Sequence, residues 1–360
     1  MTAPGSATEQ VLKCETILAG LWTKNLAVPV ASECNYFDLG GDSLRGAQLI
    51  SWVQETFGIE LSLLEVFESP TLSAQAHLIE SRMAIQSHDE KPMAEYGFFG
   101  SARARLFGAV HRPGANRTGK GVVLCYPTGQ EYMRIHRTYA ELARSLVSAG
   151  YCVLRFDYFG CGDSEGEFID ATFERWVDDI HAAHDELCFA GGVNDIWLVG
   201  SRLGANLALE AAGGRPDLKG LVLWEPILDG QAYISTLKRA HEDLLRNNAV
   251  LDGYESRSLP HQCYAEYTGY PFSRKLFGQL SAIDLTARES RLPGIPALVV
   301  GNTEKPALRA FAASNGNGHA EFICAGESDA IWLKEDRQNK GLIPVRAVQN
   351  IVSWIQSRSK

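Results

Sequence analysis

Between residues 121 and 324, short apolar runs alternate with stretches of helical periodicity, and few folds accept that pattern. Gly121-Val-Val-Leu-Cys-Tyr126, Tyr151-Cys-Val-Leu-Arg-Phe156, Ile196-Trp-Leu-Val199, Leu221-Val-Leu-Trp224, Ala297-Leu-Val-Val300 and Ala320-Glu-Phe-Ile-Cys324 read as strands. Arg137–Ala149, Phe173–Cys188 and Leu203–Ala212 read as the helices between them. The alternation implies a mainly parallel sheet with helices on both faces. The stretch 228–288 interrupts it without strand signals and reads as a helical cap over the carboxyl edge of the sheet, where open α/β sheets bind ligands.

The first eighty residues follow another rule. Thr8 to about Ala27 reads as a helix, with Val11, Leu12, Ile17, Leu18, Leu21 and Trp22 available to a core. In Phe37-Asp38-Leu39-Gly40-Gly41-Asp42-Ser43-Leu44 two glycines permit a tight bend, and Asp42-Ser43 supplies a helix N-cap. Leu44, Ala47, Ile50, Val53 and Phe57 continue at three- and four-residue spacing, so Ser43 is expected at a helix start with its hydroxyl facing water. A short third helix after Ser62 and a fourth over Thr71–Arg82 would close a bundle.

Asn35-Tyr36-Phe37-Asp38-Leu39-Gly40-Gly41-Asp42-Ser43-Leu44, with Phe57-Gly58-Ile59 and Phe67-Glu68-Ser69-Pro70-Thr71, resembles the phosphopantetheine carrier domains of polyketide and nonribosomal peptide assembly lines, over about residues 8–82. The resemblance implies 4′-phosphopantetheine on Ser43, preceded by Asp42, and a thioester-bound acyl or aminoacyl group on its thiol. It also implies a phosphopantetheinyl transferase, an acyl- or aminoacyl-activating (adenylating) enzyme and downstream biosynthetic enzymes as partners. Residues 1–83 are thus expected as the carrier, 84–95 as a polar linker with one proline, and 96–360 as the second domain.

Composition narrows the alternatives. A net charge of −9 argues against nucleic-acid binding, which needs clustered Lys and Arg. Eight cysteines without a CxxC pair indicate neither a zinc site nor a disulfide framework. His181 and His184 share a helix face without an apparent third ligand, so no metal is expected. The start of the chain lacks a charged, then apolar leader, and no run reaches membrane-span length; a cytoplasmic protein is expected.

Val199-Gly200-Ser201-Arg202-Leu203-Gly204-Ala205 falls between strand and helix, where a nucleophile elbow needs small residues two before and two after its central residue. Gly200 and Gly204 meet that need, but the central residue is Arg202, which cannot surrender a proton at neutral pH. Ser201 would be flanked by the bulky Val199 and Leu203 and is the weaker candidate nucleophile. Cys161, on another loop, is either a thiol nucleophile or, the preferred reading, a buried structural cysteine. Glu304, after the penultimate strand, is either a catalytic acid or a solvated carboxylate. After the last strand the chain reads Ala325-Gly326-Glu327-Ser328-Asp329 without histidine, and His319 lies at that strand's wrong end. Trp176, Asp178 and Asp179 lie on a helix whose charges are expected to face water.

Tyr126-Pro127-Thr128-Gly129-Gln130-Glu131-Tyr132-Met133, Gly160-Cys161-Gly162-Asp163-Ser164-Glu165-Gly166-Glu167-Phe168, Asp170-Ala171-Thr172 and Trp224-Glu225-Pro226-Ile227-Leu228-Asp229-Gly230 resemble the exosortase A system-associated hydrolases, over about residues 96–356. That group implies an α/β-hydrolase fold with Gly-x-Arg-Leu-Gly at the elbow. Two roles stay open for Arg202, and they are compatible. One is binding the arm's phosphate or an acidic acyl group, aided by backbone donors near Thr128-Gly129. The other is neutralisation by Glu131 or Asp329. The expected fold is an all-α four-helix carrier bundle plus an α/β-hydrolase fold with a helical cap. The expected function is thioester handling in secondary-metabolite or related acyl biosynthesis, with the second domain acting as a thioesterase or acyltransferase, or as an acyl-binding or docking module.

Overall fold

The computed structural model describes residues 7–59, 61, 63–88, 93–101, 104–114, 116–213, 215, 217–247, 263–286, 292, 294–315, 320–326 and 343–359. The chain divides into two compact units, Met1–Lys91 and Pro92–Lys360.

In the first unit α1 (Ala7–Leu26), α2 (Ser43–Phe57), α3 (Leu63–Glu68) and α4 (Leu72–His88) enclose one core. Leu18, Trp22, Tyr36, Leu49, Val53 and Ile79 fill it, and Trp22 packs edge-on against Tyr36 at 5.0 Å. The long connection from α1 to α2 is fixed at two points. Tyr36 Oη donates to Asn25 Oδ1 at 2.6 Å, and an isolated bridge pairs Asn35 with Thr71. Helix α4 runs to His88 and the next strand begins at Met93, so regular structure occupies most of the stretch 84–95 expected as a linker.

The second unit is built on an eight-stranded sheet. Its strands are β1 (Met93–Ser101), β2 (Ala104–Arg112), β3 (Lys120–Cys125), β4 (Cys152–Phe156), β5 (Asp195–Ser201), β6 (Gly220–Trp224), β9 (Ala297–Gly301) and β10 (Ala320–Cys324). Their spatial order is β1-β2-β4-β3-β5-β6-β9-β10; β1–β2 and β2–β4 pair antiparallel and the other pairs run parallel. Strands β3, β5, β6 and β9 are apolar and buried along nearly their whole length, as strands covered on both faces must be. Helices α5 (Gln130–Ser148), α6 (Phe173–Gly191), α7 (Leu203–Gly213), α10 (Pro306–Asn315) and α11 (Val345–Arg358) supply the cover. This is the α/β-hydrolase arrangement implied by the resemblance.

Between β6 and β9 lie α8 (Gly230–Asn247), the short hairpin β7 (Ala265–Tyr267) and β8 (Tyr270–Phe272), and α9 (Arg274–Ser281). The cap therefore includes strands, which the expectation of a helical insertion omits. The hairpin is held by aromatic packing: Phe168 lies 5.3 Å from Tyr270 and 5.4 Å from Phe272. Asp179 also departs from expectation. It is buried on α6, accepting from Phe159 N at 2.8 Å and from Arg175 Nε at 2.9 Å, and burial raises its pKa despite those partners.

Candidate functional site

The first site is the start of α2. Asp42 adopts extended backbone angles (φ −134°, ψ 179°), and its Oδ1 accepts from Leu44 N at 3.0 Å and Arg45 N at 2.9 Å. Asp42 is thus the N-cap and Ser43 the first helical residue; the side chain of Ser43 lies outside the described ones. Gly41 passes so close to Tyr36 that a Cβ would overlap the tyrosine ring, which accounts for glycine there. Arg45 NH1 donates to Gly40 O at 2.9 Å and closes the turn. Asp42, Leu44 and Arg45 are exposed, so the start of α2 lies at the surface, which fits attachment of a phosphopantetheine arm there.

The second site is at the carboxyl ends of β3, β5 and β6. The turn from β5 into α7 is an elbow. A Cβ on Gly200 would overlap the Gly204 carbonyl, and one on Gly204 would overlap the carbonyls of Cys125 and Tyr126. Between them Arg202 has φ +52°, a left-handed conformation that costs a non-glycine residue on the order of 1 kcal/mol. The elbow geometry is therefore retained with an arginine at its apex.

Arg202 is not a loose cation. Its Nε donates to Glu131 Oε1 at 2.9 Å, and its NH1 donates to the carbonyl of Glu225 at 3.2 Å. Glu131 is 1% exposed, stands in the first turn of α5 where the helix dipole favours an anion, and accepts from Tyr233 Oη at 3.1 Å through its other oxygen. Burial works against the charge on Arg202, but Glu131 outweighs it and the arginine pKa ends above its ordinary value. Burial, then the neighbouring Glu131, drives the Tyr233 phenol well above the usual tyrosine range.

Glu225 extends the network. It too has φ +52°, its Oε1 accepts from Asn302 N at 2.8 Å, and its Oε2 pairs with Lys305. Asn302 Oδ1 in turn accepts from Trp224 Nε1 at 2.8 Å. The ends of β5, β6 and β9 are thus cross-linked by buried polar groups.

Ser201 points the other way. It is 0% exposed, and its Oγ accepts from Tyr139 Oη at 2.8 Å. Among the described residues no histidine is bonded to Ser201 or Glu131. Glu304 turns to Arg309 on α10, at 2.8 Å, away from the elbow. Asp329 and His319 lie outside the described residues. Cys161 is only partly buried, packed against the core rather than within it, and burial of the thiol raises its pKa. Gly129, also at positive φ, lies under the Tyr270 ring of the cap.

Of the candidates named from sequence, Arg202 and Glu131 come together, while Ser201 lies close by but buried. Tyr233, Glu225 and Lys305 were missed. Glu225 carries a readable signal, since it directly follows the run 221–224 as Asp157 follows the run 151–156. Tyr233 and Lys305 carry none, because only the folded cap and the loop before α10 deliver them.

A family model described as phosphopantetheine attachment site matches residues 16–79, and one described as serine aminopeptidase, S33, matches residues 120–263. Among curated proteins the chain is 43% identical over 190 residues to gramicidin S synthase 2 of Aneurinibacillus migulanus, covering 51% of this chain and 4% of that protein. It is 35% identical over 94 residues to the non-canonical nonribosomal peptide synthetase FrzA of Cladobotryum sp, covering 24% of this chain and 9% of that one. The chain thus spans less than a tenth of the length of these relatives. An esterase of Pyrococcus furiosus (TM-score 0.52, 14% identity) covers 75% of this chain and 92% of its own. DcsB, solved with a substrate analogue, superposes similarly (TM-score 0.52, 14% identity), covering 74% of this chain and 100% of its own. At such identities these two structures speak for the fold alone.

Proposed function

We propose that this chain, a phosphopantetheine carrier domain joined to an α/β-hydrolase domain, holds an acyl or aminoacyl group as a thioester on Ser43 and that its α/β unit receives the group without forming an acyl-enzyme. The bound 4′-phosphopantetheine supplies the thiol. The chain supplies the rest: Asp42 fixes the start of α2 so that Ser43 is presented on a capped helix end, and the exposed Leu44 and Arg45 flank it.

The observation that carries the reading is Arg202 at the elbow apex, tied to Glu131 and to the Glu225 carbonyl. An arginine forms no acyl intermediate, and Ser201 is buried against Tyr139 with no histidine partner among the described residues. What stands at the mouth is a positioned guanidinium–carboxylate pair beside the phenol of Tyr233, suited to orienting a polar acyl group by hydrogen bonds.

A second reading is direct displacement, in which water or an amine attacks the held thioester in one step. The preserved elbow strain favours it, since a fixed guanidinium beside backbone donors stabilises a developing oxyanion. The test is to convert the chain to its holo form, load a panel of acyl-pantetheines, and follow intact mass. A Ser43→Ala chain gains no mass; gain of mass by that variant overturns the carrier assignment. Acyl groups as long-lived as on free acyl-pantetheine support holding. Faster loss, abolished by Arg202→Ala, supports displacement, and a stable acyl adduct on the second unit overturns both. The adenylating partner follows the peptide-synthetase likeness of the carrier, and the secondary-metabolite setting follows from it.

A further inference from the structure

A second guanidinium lies two strands from the elbow strand, in a different kind of environment. Arg155 on β4 is half-buried, and its two hydrogen-bond partners are neutral: His111 Nε2 on β2 accepts from Nε at 2.9 Å, and Tyr126 Oη accepts from NH1 at 3.4 Å. Among the described residues it forms no ion pair. Asp157, two residues on, is already committed, its carboxylate accepting from Tyr132 Oη at 2.6 Å and from Asp163 N at 3.0 Å. The contrast with Arg202 is sharp, because there a carboxylate accompanies the cation.

The Asp157 charge reaches Tyr126 and His136 as well, and the remaining neighbours of Arg155 are neutral. Because His111 Nε2 accepts from the guanidinium, the proton of the neutral ring is on Nδ1, which faces away from Arg155, and His111 serves to hold the guanidinium in place. Burial, then the Arg155 charge, lowers the His111 pKa to about 4, and the same two causes lower that of His136, so both rings stay neutral. Exposed His136 on α5 lies 6.2 Å from the Tyr126 ring and 6.0 Å from the Tyr132 ring, forming a rim. Donors thus come from β3, β4 and α5, from several directions. A carboxylate is satisfied by one planar fork, whereas a tetrahedral oxyanion uses donors arranged around it.

We infer that Arg155, with His111, Tyr126 and His136, forms an anion site that takes a phosphate group, separate from the Arg202–Glu131 pair. In register Arg155 lies opposite Leu124 on β3, and the next residue, Cys125, lies opposite Gly200 of the elbow strand. Arg155 on β4 and the turn after β5 that carries Arg202 therefore lie on either side of β3. The phosphate comes either as the free ion or as an ester of a small molecule.

The test is calorimetry on the full chain in phosphate-free buffer, with inorganic phosphate, 4′-phosphopantetheine and pantetheine as titrants. Wild type binds inorganic phosphate, Arg155→Gln binds at least about tenfold more weakly, and Arg155→Lys falls between, having the charge without the fork. Equal affinity for the two phosphates marks a site for the ion itself; tighter binding of phosphopantetheine with pantetheine inert marks a site for the ester. Near-ultraviolet circular dichroism confirms that each variant is folded, and in wild type phosphate shifts the ring signals of His111 and His136 in nuclear magnetic resonance. Native-like Arg155→Gln that binds as tightly as wild type overturns the assignment. So does a wild type that gives neither heat nor ring-signal shifts with millimolar phosphate, whatever the fate of the variants.

Discussion

Arg202 Nε and Glu131 Oε1 lie 2.9 Å apart, joining the elbow after β5 to the first turn of α5 across the mouth of the sheet. Residue 131 is 1% exposed, so the guanidinium depends on this carboxylate for compensation of its charge there. That dependence sets the first expectation. Glu131→Gln leaves a buried guanidinium without its anion and should lower the stability of the second unit by about 3 kcal/mol, whereas joint replacement by Leu at 131 and Met at 202 should cost less than the single change. Urea unfolding followed by tryptophan fluorescence checks this; a single variant as stable as wild type would show that the pair contributes nothing.

Serine-directed reagents should leave the chain unlabelled. Ser201 Oγ is enclosed and bonded to Tyr139, and Ser201→Ala should leave the lifetime of a loaded acyl group unchanged within about twofold. Its stability should fall by only about 1 kcal/mol, because Tyr139 Oη retains the Cys125 carbonyl at 3.1 Å. Phosphonofluoridate labelling read by intact mass decides the matter, and an adduct on Ser201 would refute the buried assignment.

Gly204→Ala should destabilise the second unit by roughly 3 kcal/mol or more, since the added Cβ would meet the carbonyls of Cys125 and Tyr126, which are backbone and cannot swing aside. Gly213→Ala on the same helix meets nothing within contact distance and should be neutral or slightly stabilising. Thermal melts of the two variants side by side check the contrast.

Acid should weaken the fold through His111. Its folded pKa, near 4, lies below the unfolded value near 6.5, so the unfolded chain binds the extra proton first. The stability present above pH 6.5 is lost as pH falls towards 4. Half-exposure of the ring reduces the effect to about 1–2 kcal/mol. His111→Gln should flatten this part of the pH dependence in urea titrations at about pH 7, 5.5 and 4.5, across the window set by the shift, and an unchanged slope would remove His111 as its source.

Asp42→Ala removes the cap on α2 and should cost the first unit roughly 1 kcal/mol, with Asp42→Asn retaining most of it. Helicity at 222 nm during urea unfolding reports the loss.

What the sequence discloses about this molecule divides along a physical line. The Asp42 cap and the elbow glycines are legible because each is a local device: a short side chain or a missing Cβ acts within a few residues. Strands β3 to β6 are legible because burial on both faces forces continuous apolar runs. The hairpin β1–β2 is not, because β1 leaves Tyr96 and Phe98 exposed and includes Gly97 and Gly100, so neither alternation nor an apolar run marks it. Asp179 was expected in water because its burial depends on Phe159 N, supplied by a loop twenty residues earlier. Tyr233 was invisible for the same reason: its partner Glu131 lies 102 positions away.

The Arg202–Glu131 pair has a consequence at a distance. Opposite charges 2.9 Å apart leave a dipole, whose field fades faster than that of a lone ion. A molecule approaching the elbow feels little until it arrives, and is then sorted by its orientation along that dipole. Capture there should be almost indifferent to ionic strength, whereas capture at Arg155, a cation that forms no ion pair among the described residues, should slow as salt rises.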